Sequence, residues 1–134
     1  MNLQVGVKAL IENSQNNYLF LHRSKVIDGH ETSIWDIPGG RIEPEEDLMS
    51  ALTREILEET GIVLTAAPTL IAAQDIFAGT KLHVVRLTYL VDGDGEAILS
   101  DEHTDAKWLS LEDAMQLNLD PYIKELIENK ITPA

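Results

Sequence analysis

The strongest constraint on this chain lies between Asp47 and Gly61, where a helix has both of its ends written into the sequence. Asp47 is a good N-cap residue, and Gly61 suits the left-handed position that closes a helix. Leu48, Met49, Leu52 and Ile56 fall on one arc of the helical wheel. They predict a core-facing stripe that other elements must cover. Glu55, Glu58 and Glu59 occupy the adjoining arc, with Ala51 one turn earlier. A helix C-terminus carries partial negative charge and favours cations. Residues three and four apart are neighbours, so Glu55 lies beside both Glu58 and Glu59. At about 6 Å and an effective dielectric of about 20, each such pair costs on the order of 3 kcal/mol before salt screening. Arg54 stands four residues before Glu58 and can pair with it. Glutamate-rich helices commonly present a solvated face. Three carboxylates beside the Pro38-Gly39-Gly40 turn also suit a hard divalent cation, because glycine backbone approaches a ligand closely.

The flanking segments predict what covers the stripe. Leu3, Val5, Val7 and Ala9 alternate with Gln4, Gly6 and Lys8, a strand pattern that runs into Leu10-Ile11. Asn13 to Asn17 is a polar turn, Tyr18 to Leu21 the returning strand, and Ser24 to Ser33 reads as a loop. Trp35-Asp36-Ile37 is a short apolar piece that Pro38-Gly39-Gly40 stops. Beyond Gly61, strand-like runs Leu70–Phe77 and Leu82–Val91 flank Ala78-Gly79-Thr80 as a hairpin, and Ala106–Leu109 is a further strand. Ser110 opens a helix to about Leu117, and Asp120-Pro121 opens another to about Asn129. Strands and helices interleave without linker or repeat, so the fold class is α/β or α+β with a mixed sheet, in one domain over residues 1–134.

Composition narrows the chemistry. There is no cysteine, which excludes disulfide scaffolds and cysteine–zinc sites and permits a reducing, cytoplasmic setting. The first residues lack the basic and apolar regions of a signal peptide, and no run of 18 apolar residues predicts a membrane span. A net charge of −13 disfavours grip on a nucleic-acid polymer. Seven of the acids fall between Glu43 and Glu59, against one base, Arg54. Such a surface handles anions only if metal ions reverse its local sign. Asp92 to Glu96 has the look of a calcium loop, but Ala97 stands where glycine is needed and His103 where the bidentate glutamate belongs, so it reads as a turn. His22, His30 and His103 share no metal-ligand spacing.

Spacing decides between solvated face and metal site. Gly40, five residues, Glu46, seven residues, then Arg54-Glu55-Ile56-Leu57-Glu58-Glu59-Thr60-Gly61-Ile62 resembles the Nudix box, G-x5-E-x7-R-E-U-x-E-E-x-G-U, at all nine specified positions. The box spans 23 of the 134 residues. The resemblance implies an α/β/α sandwich around a central mixed sheet. It also implies Mg²⁺- or Mn²⁺-dependent hydrolysis of a nucleoside diphosphate linked to a moiety X. Carried over, Glu55, Glu58 and Glu59 ligate the metal with the Gly40 carbonyl, while Glu46 and Arg54 orient them. Glu58, Glu59 and Arg54 are thus the catalytic candidates of the box. Glu102, six residues before Trp108, resembles a further metal ligand or general base, though with Asp101 and Asp105 beside it a solvated loop acid is an equal reading.

Substrate contacts implied by the resemblance are Gly39 and Gly40, Arg23 on a phosphate, and Trp35 stacked on a base. A lone arginine at a strand end is otherwise a surface residue, and Trp35 can instead pack under the sheet. His83 and Arg86 can face either substrate or solvent. The implied partner is a small-molecule nucleotide, and family members are often dimers. A nucleoside triphosphate or modified nucleotide, in the MutT manner, is the leading substrate. ADP-ribose, nucleotide-sugar and dinucleoside polyphosphate hydrolysis are the alternatives. The proline and tyrosine associated with ADP-ribose and dinucleoside polyphosphate activity are missing near Phe77-Ala78. A non-catalytic Nudix-fold nucleotide-binding module is the reading from another class, although such modules typically lose box glutamates that this chain keeps.

Overall fold

In the computed structural model, which describes residues 2–27 and 30–129, β1 (Asn2–Glu12) runs through the centre of the molecule. Its inward residues Val7, Ala9 and Ile11 are completely buried, as the alternation requires. The remaining strands are β2 (Tyr18–Ile27), β3 (His30–Asp36), β4 (Gly39–Arg41), β5 (Thr69–Ala78), β6 (Leu82–Asp92) and β7 (Asp105–Leu109). Order along the main path is β3-β2-β1-β6-β5, with β4 on β1 and β7 on β2. β1 and β6 are parallel from Asn2↔Leu82 to Glu12↔Asp92, and the other pairings between these strands are antiparallel, so the sheet is mixed.

Two apolar layers cover the sheet. On one side α1 (Leu48–Thr60) packs Ala51, Leu52 and Ile56 against Val7, Ala9, Leu19, Leu21, Tyr89 and Val91. On the other, α2 (Leu111–Ala114) and α3 (Pro121–Asn129) pack Leu111, Ala114, Ile123 and Ile127 against Leu10, Phe20 and Ile37. The caps are those expected. Asp47 accepts from Ser50 N at 2.8 Å, Gly61 closes α1 at φ 74°, and Asp120 Oδ1 accepts from the N–H groups of Tyr122 and Ile123.

Four expectations are corrected. Ser24 to Ser33 is not a loop: β2 and β3 pair from Leu21↔Asp36 to Ile27↔His30, and backbone hydrogen bonds make that ladder without needing apolar alternation. Asp28 and Gly29, within the expected loop, lie outside the described residues. Met49 is exposed, and Ala51 takes its place in the buried stripe, which is rotated from the expected arc. α2 stops at Ala114, three residues before the expected end, and a turn carries the chain on to Leu119. Gly39-Gly40 is not only a turn but the start of β4.

That last difference shapes the molecule. β1 and β2 pair only at Glu12↔Tyr18 and then part, and β4 takes the free edge of β1 at Lys8↔Gly39, Val7↔Gly40 and Gly6↔Arg41. Gly39 adopts φ +147°, and a Cβ there would sit 2.1 Å from the Val7 carbonyl oxygen and 2.7 Å from Lys8 Cα. Neither neighbour is a flexible side chain, so only glycine fits. Gly39→Ala is expected to lower unfolding stability by about 2–4 kcal/mol, combining backbone strain with overpacking, as read from the urea midpoint.

Candidate metal and nucleotide site

Where β4 meets β1 the surface opens into a cleft of about 800 Å³. Its floor is one face of three paired strands: Gly6 lies opposite Arg86, and Val84 opposite Ile76. Lys8 lines the floor next along β1, and Asp120 and Tyr122 line it from the start of α3. The rest of its wall is built from Gly39, Gly40 and Arg41, the α1 carboxylates Glu55, Glu58 and Glu59, and the loop Ser100-Asp101-Glu102. Arg23 also lines the cleft.

Arg54 stands behind this wall and holds it in place. Its Nε and Nη2 donate to the two Glu46 carboxylate oxygens at 2.7 and 2.9 Å. Its Nη1 donates to Glu55 at 3.0 Å and to Glu58 at 3.4 Å. The bidentate pair keeps the Glu46 carboxyl down at about 2 and strengthens the guanidinium's hold on its proton. Gly40 supplies the space for Glu55, since a Cβ on it would lie 2.6 Å from Glu55 Oε1.

The three α1 acids sit in three environments. Glu58 is exposed, Glu55 half-buried, and Glu59 only 5% exposed. Glu59 Oε2 accepts a long bond from Gly39 N at 3.5 Å and lies 3.9 Å from His103 Nε2. Burial pushes the Glu59 carboxyl up to about 8, with Glu55 and Glu102 adding to the rise while Lys8 and the Gly39 N–H oppose it. His103 is itself buried, and burial lowers its pKa.

The acidic side chains that line the cleft, Glu55, Glu58, Glu59, Asp101, Glu102 and Asp120, offer only oxygens, and an oxygen donor set fits a hard divalent cation. Among the described residues no three acidic or imidazole side chains close into a ready-made cage. An open set of carboxylates is nevertheless the form suited to Mg²⁺, which keeps waters and shares substrate phosphates.

Of the residues picked out in the sequence, the fold brings Arg23, Gly39, Gly40, Glu55, Glu58, Glu59 and Glu102 to the cleft, with Arg54 behind them. Trp35 does not line it. The ring packs against the α2–α3 layer, with Lys107 Nζ 5.2 Å from its centroid, so the aromatic ring at the cleft is Tyr122. Arg86 faces the cleft, pairs with Asp120 at 3.3 Å and lies over the Tyr122 ring at 5.7 Å. His83 instead pairs with Asp75 at 2.7 Å, outside the cleft. Lys8, Asp36, His103, Asp120 and Tyr122 were not marked as site residues by the sequence. Of these, only Asp36 carried a signal: a charge inside an apolar piece.

Comparison with known proteins agrees with this geometry. A family model described as the NUDIX domain matches residues 2–130. A CTP pyrophosphohydrolase of Escherichia coli K12 is 32% identical over 98 residues, which are 73% of this chain and 71% of that protein. A MutT protein from Methanosarcina mazei Go1 superposes with a TM-score of 0.80 at 30% identity, over 94% of this chain and 91% of the other. A MutT Nudix hydrolase from Burkholderia pseudomallei gives 0.82 at 29% identity, over 98% and 100%.

The raised Glu59 carboxyl has a consequence for the metal-free protein. Its folded value of about 8 exceeds the ordinary 4.5, so the folded state binds this proton more tightly than the unfolded state does. Stability from this group is therefore fully present below 4.5 and is lost as pH rises through 8. In EDTA, Glu59→Gln should gain stability relative to the native chain across that window, on the order of 3 kcal/mol by pH 9. Urea unfolding of both proteins from pH 4 to 9 checks this; a constant difference would contradict it.

Proposed function

This chain belongs to the Nudix family of hydrolases, and from that premise we propose that it hydrolyses the diphosphate linkage of a free nucleoside triphosphate or modified nucleotide. The observation that carries the reading is the presence of both charges in one cleft. Carboxylates of α1 line it together with Lys8, Arg23 and Arg86, so metal and phosphate each have complementary groups there. The CTP pyrophosphohydrolase relative supports a triphosphate as substrate. Among the described residues no helix is long and apolar enough to cross a membrane.

Glu55, Glu58, Glu59 and the Gly40 carbonyl would hold Mg²⁺ or Mn²⁺, which when bound supplies charge to the phosphate oxygens and lowers the pKa of a water. The residues of the chain do the rest. Arg54 keeps Glu55 and Glu58 turned to the cleft. Glu102, on the exposed lip of the 100–102 loop, accepts the proton of the attacking water. The water oxygen forms a new bond to phosphorus as the bridging P–O bond breaks, giving a nucleoside monophosphate and pyrophosphate. Ile76, Val84 and Tyr122, beside the Arg86–Asp120 pair, offer the base an apolar and aromatic end with hydrogen-bonding groups.

The test is phosphate or pyrophosphate release from a panel of nucleotides with Mg²⁺. The native chain should turn over at least one triphosphate, and Glu58→Gln and Glu59→Gln should abolish most of that release. Tight nucleotide binding without turnover would support a binding module instead. In the same assay Gly40→Ala is expected to lose activity by about 10²-fold while unfolding at nearly the native urea concentration. The displaced Glu55 carboxylate is the end of a flexible side chain, whereas its geometry matters to the metal.

A further inference from the structure

Lys8 donates to two oxygens where β1 and β2 part: Asp36 Oδ2 at 3.2 Å and the Ile37 carbonyl at 3.1 Å. An ammonium has three donors, so one is left for the cleft that Lys8 lines. The stem is placed as firmly as the head. A Cβ on Gly39 would come within 2.8 Å of Lys8 Cδ, so the glycine that lets β4 reach β1 also leaves room for this side chain.

Asp36 is 1% exposed and is shared by two cations: Arg23 Nη2 lies 3.9 Å from the same Oδ2. Burial alone would raise its carboxyl. The charges of Lys8 and Arg86 and the Ile37 N–H, which donates to Oδ1 at 2.7 Å, hold it below its ordinary value instead. Two cations thus share one carboxylate, and the charge of Lys8 also reaches Glu59. Among the described residues the buried Nε of Arg23 has no hydrogen-bond partner. A buried ion pair contributes little net stability compared with apolar residues of similar size. A chain that needed only a core here would be served as well by leucine and isoleucine. An anion completes the arrangement, because an oxygen of a phosphoryl group can accept from both Lys8 Nζ and Arg23.

We propose that Lys8 is a substrate-contacting residue that takes a phosphoryl oxygen of the nucleotide, and that Asp36 is the positioning residue that holds Lys8 and Arg23 apart as a two-cation clamp. The inference rests on the reading of this cleft as a nucleotide diphosphatase site. It adds a phosphate contact on β1, outside the 40–62 box.

Lys8→Met alone would leave Asp36 without its closest cation, so the informative protein is the double variant Lys8→Met/Asp36→Asn, which removes the pair together. Two measurements are made: calorimetric binding of inorganic pyrophosphate with Mg²⁺, and KM and kcat for the best triphosphate of the panel. The clamp predicts pyrophosphate binding at least 10-fold weaker and KM raised by a similar factor in the double variant. Lys8→Arg should keep most of the affinity, and unfolding midpoints should show that the variants are folded. A double variant with native pyrophosphate affinity and native KM would show the pair to be structural and overturn the proposal. So would a native chain that binds no pyrophosphate. Native turnover of no nucleotide, with pyrophosphate binding still lost in the double variant, would overturn the diphosphatase reading and leave the phosphate clamp standing.

Discussion

The whole site depends on backbone lying directly against backbone where Gly39 and Gly40 meet β1. With no side chain between them, β4 joins the sheet at Lys8 and Val7 and still turns into the segment that starts α1. The same two residues do separate work on their two sides. Gly39 makes room for β1 and the Lys8 stem, while Gly40 makes room for the Glu55 carboxylate. Without this contact the acid-bearing helix and the basic floor would lie on different surfaces. The widening gap between β1 and β2 is what gives the contact its space, since full pairing of those strands would occupy the edge that β4 uses.

Charge is then divided rather than averaged. The chain is strongly acidic, yet the cleft combines four cations (Lys8, Arg23, Arg41 and Arg86) with the carboxylates of α1. Arg54 is kept out of the lining and spends its five donors on Glu46, Glu55, Glu58 and the Arg41 carbonyl. It therefore reduces repulsion among the acids without covering the oxygens a cation needs. Glu46 does not line the cleft; it gives Arg54 a bidentate anchor, apart from the α1 carboxylates that do line it.

What was legible in the sequence was whatever depends on neighbours along the chain. The caps of α1, the alternation of β1 and the hairpin of β5 and β6 all follow from local rules, and so does the spacing that carries the box. Contacts between distant segments were not legible. Lys8 looked like the polar half of an alternating strand, and only the register Lys8↔Thr88 with Gly39 on the other edge shows that its face lines the cleft. His103 showed no metal-ligand spacing in the sequence, and tertiary packing alone brings it to Glu59. Trp35 beside two glycines suggested a base-stacking ring, but its backbone pairs with Asn118 and Asp120 and fixes it over the α2–α3 layer. Met49 and Ala51 show the same limit at smaller scale: the wheel gives an arc, and the packing partner decides its centre.

The unequal burial of Glu55, Glu58 and Glu59 indicates where folding and function pull apart. Glu59 is buried with a long bond from Gly39 and a distant imidazole, and the charge of Lys8 is set against those of Glu55 and Glu102. A glutamine or leucine would suit that environment better. Keeping the carboxylate costs stability at neutral pH, a cost that a cation in the proposed metal site would offset. Strain of this kind is expected where a site is organised for a ligand rather than for its own packing. It also explains the position of the acids at the end of the helix. The C-terminal dipole makes that end unfavourable for carboxylates and favourable for a cation, as the proposed metal site requires.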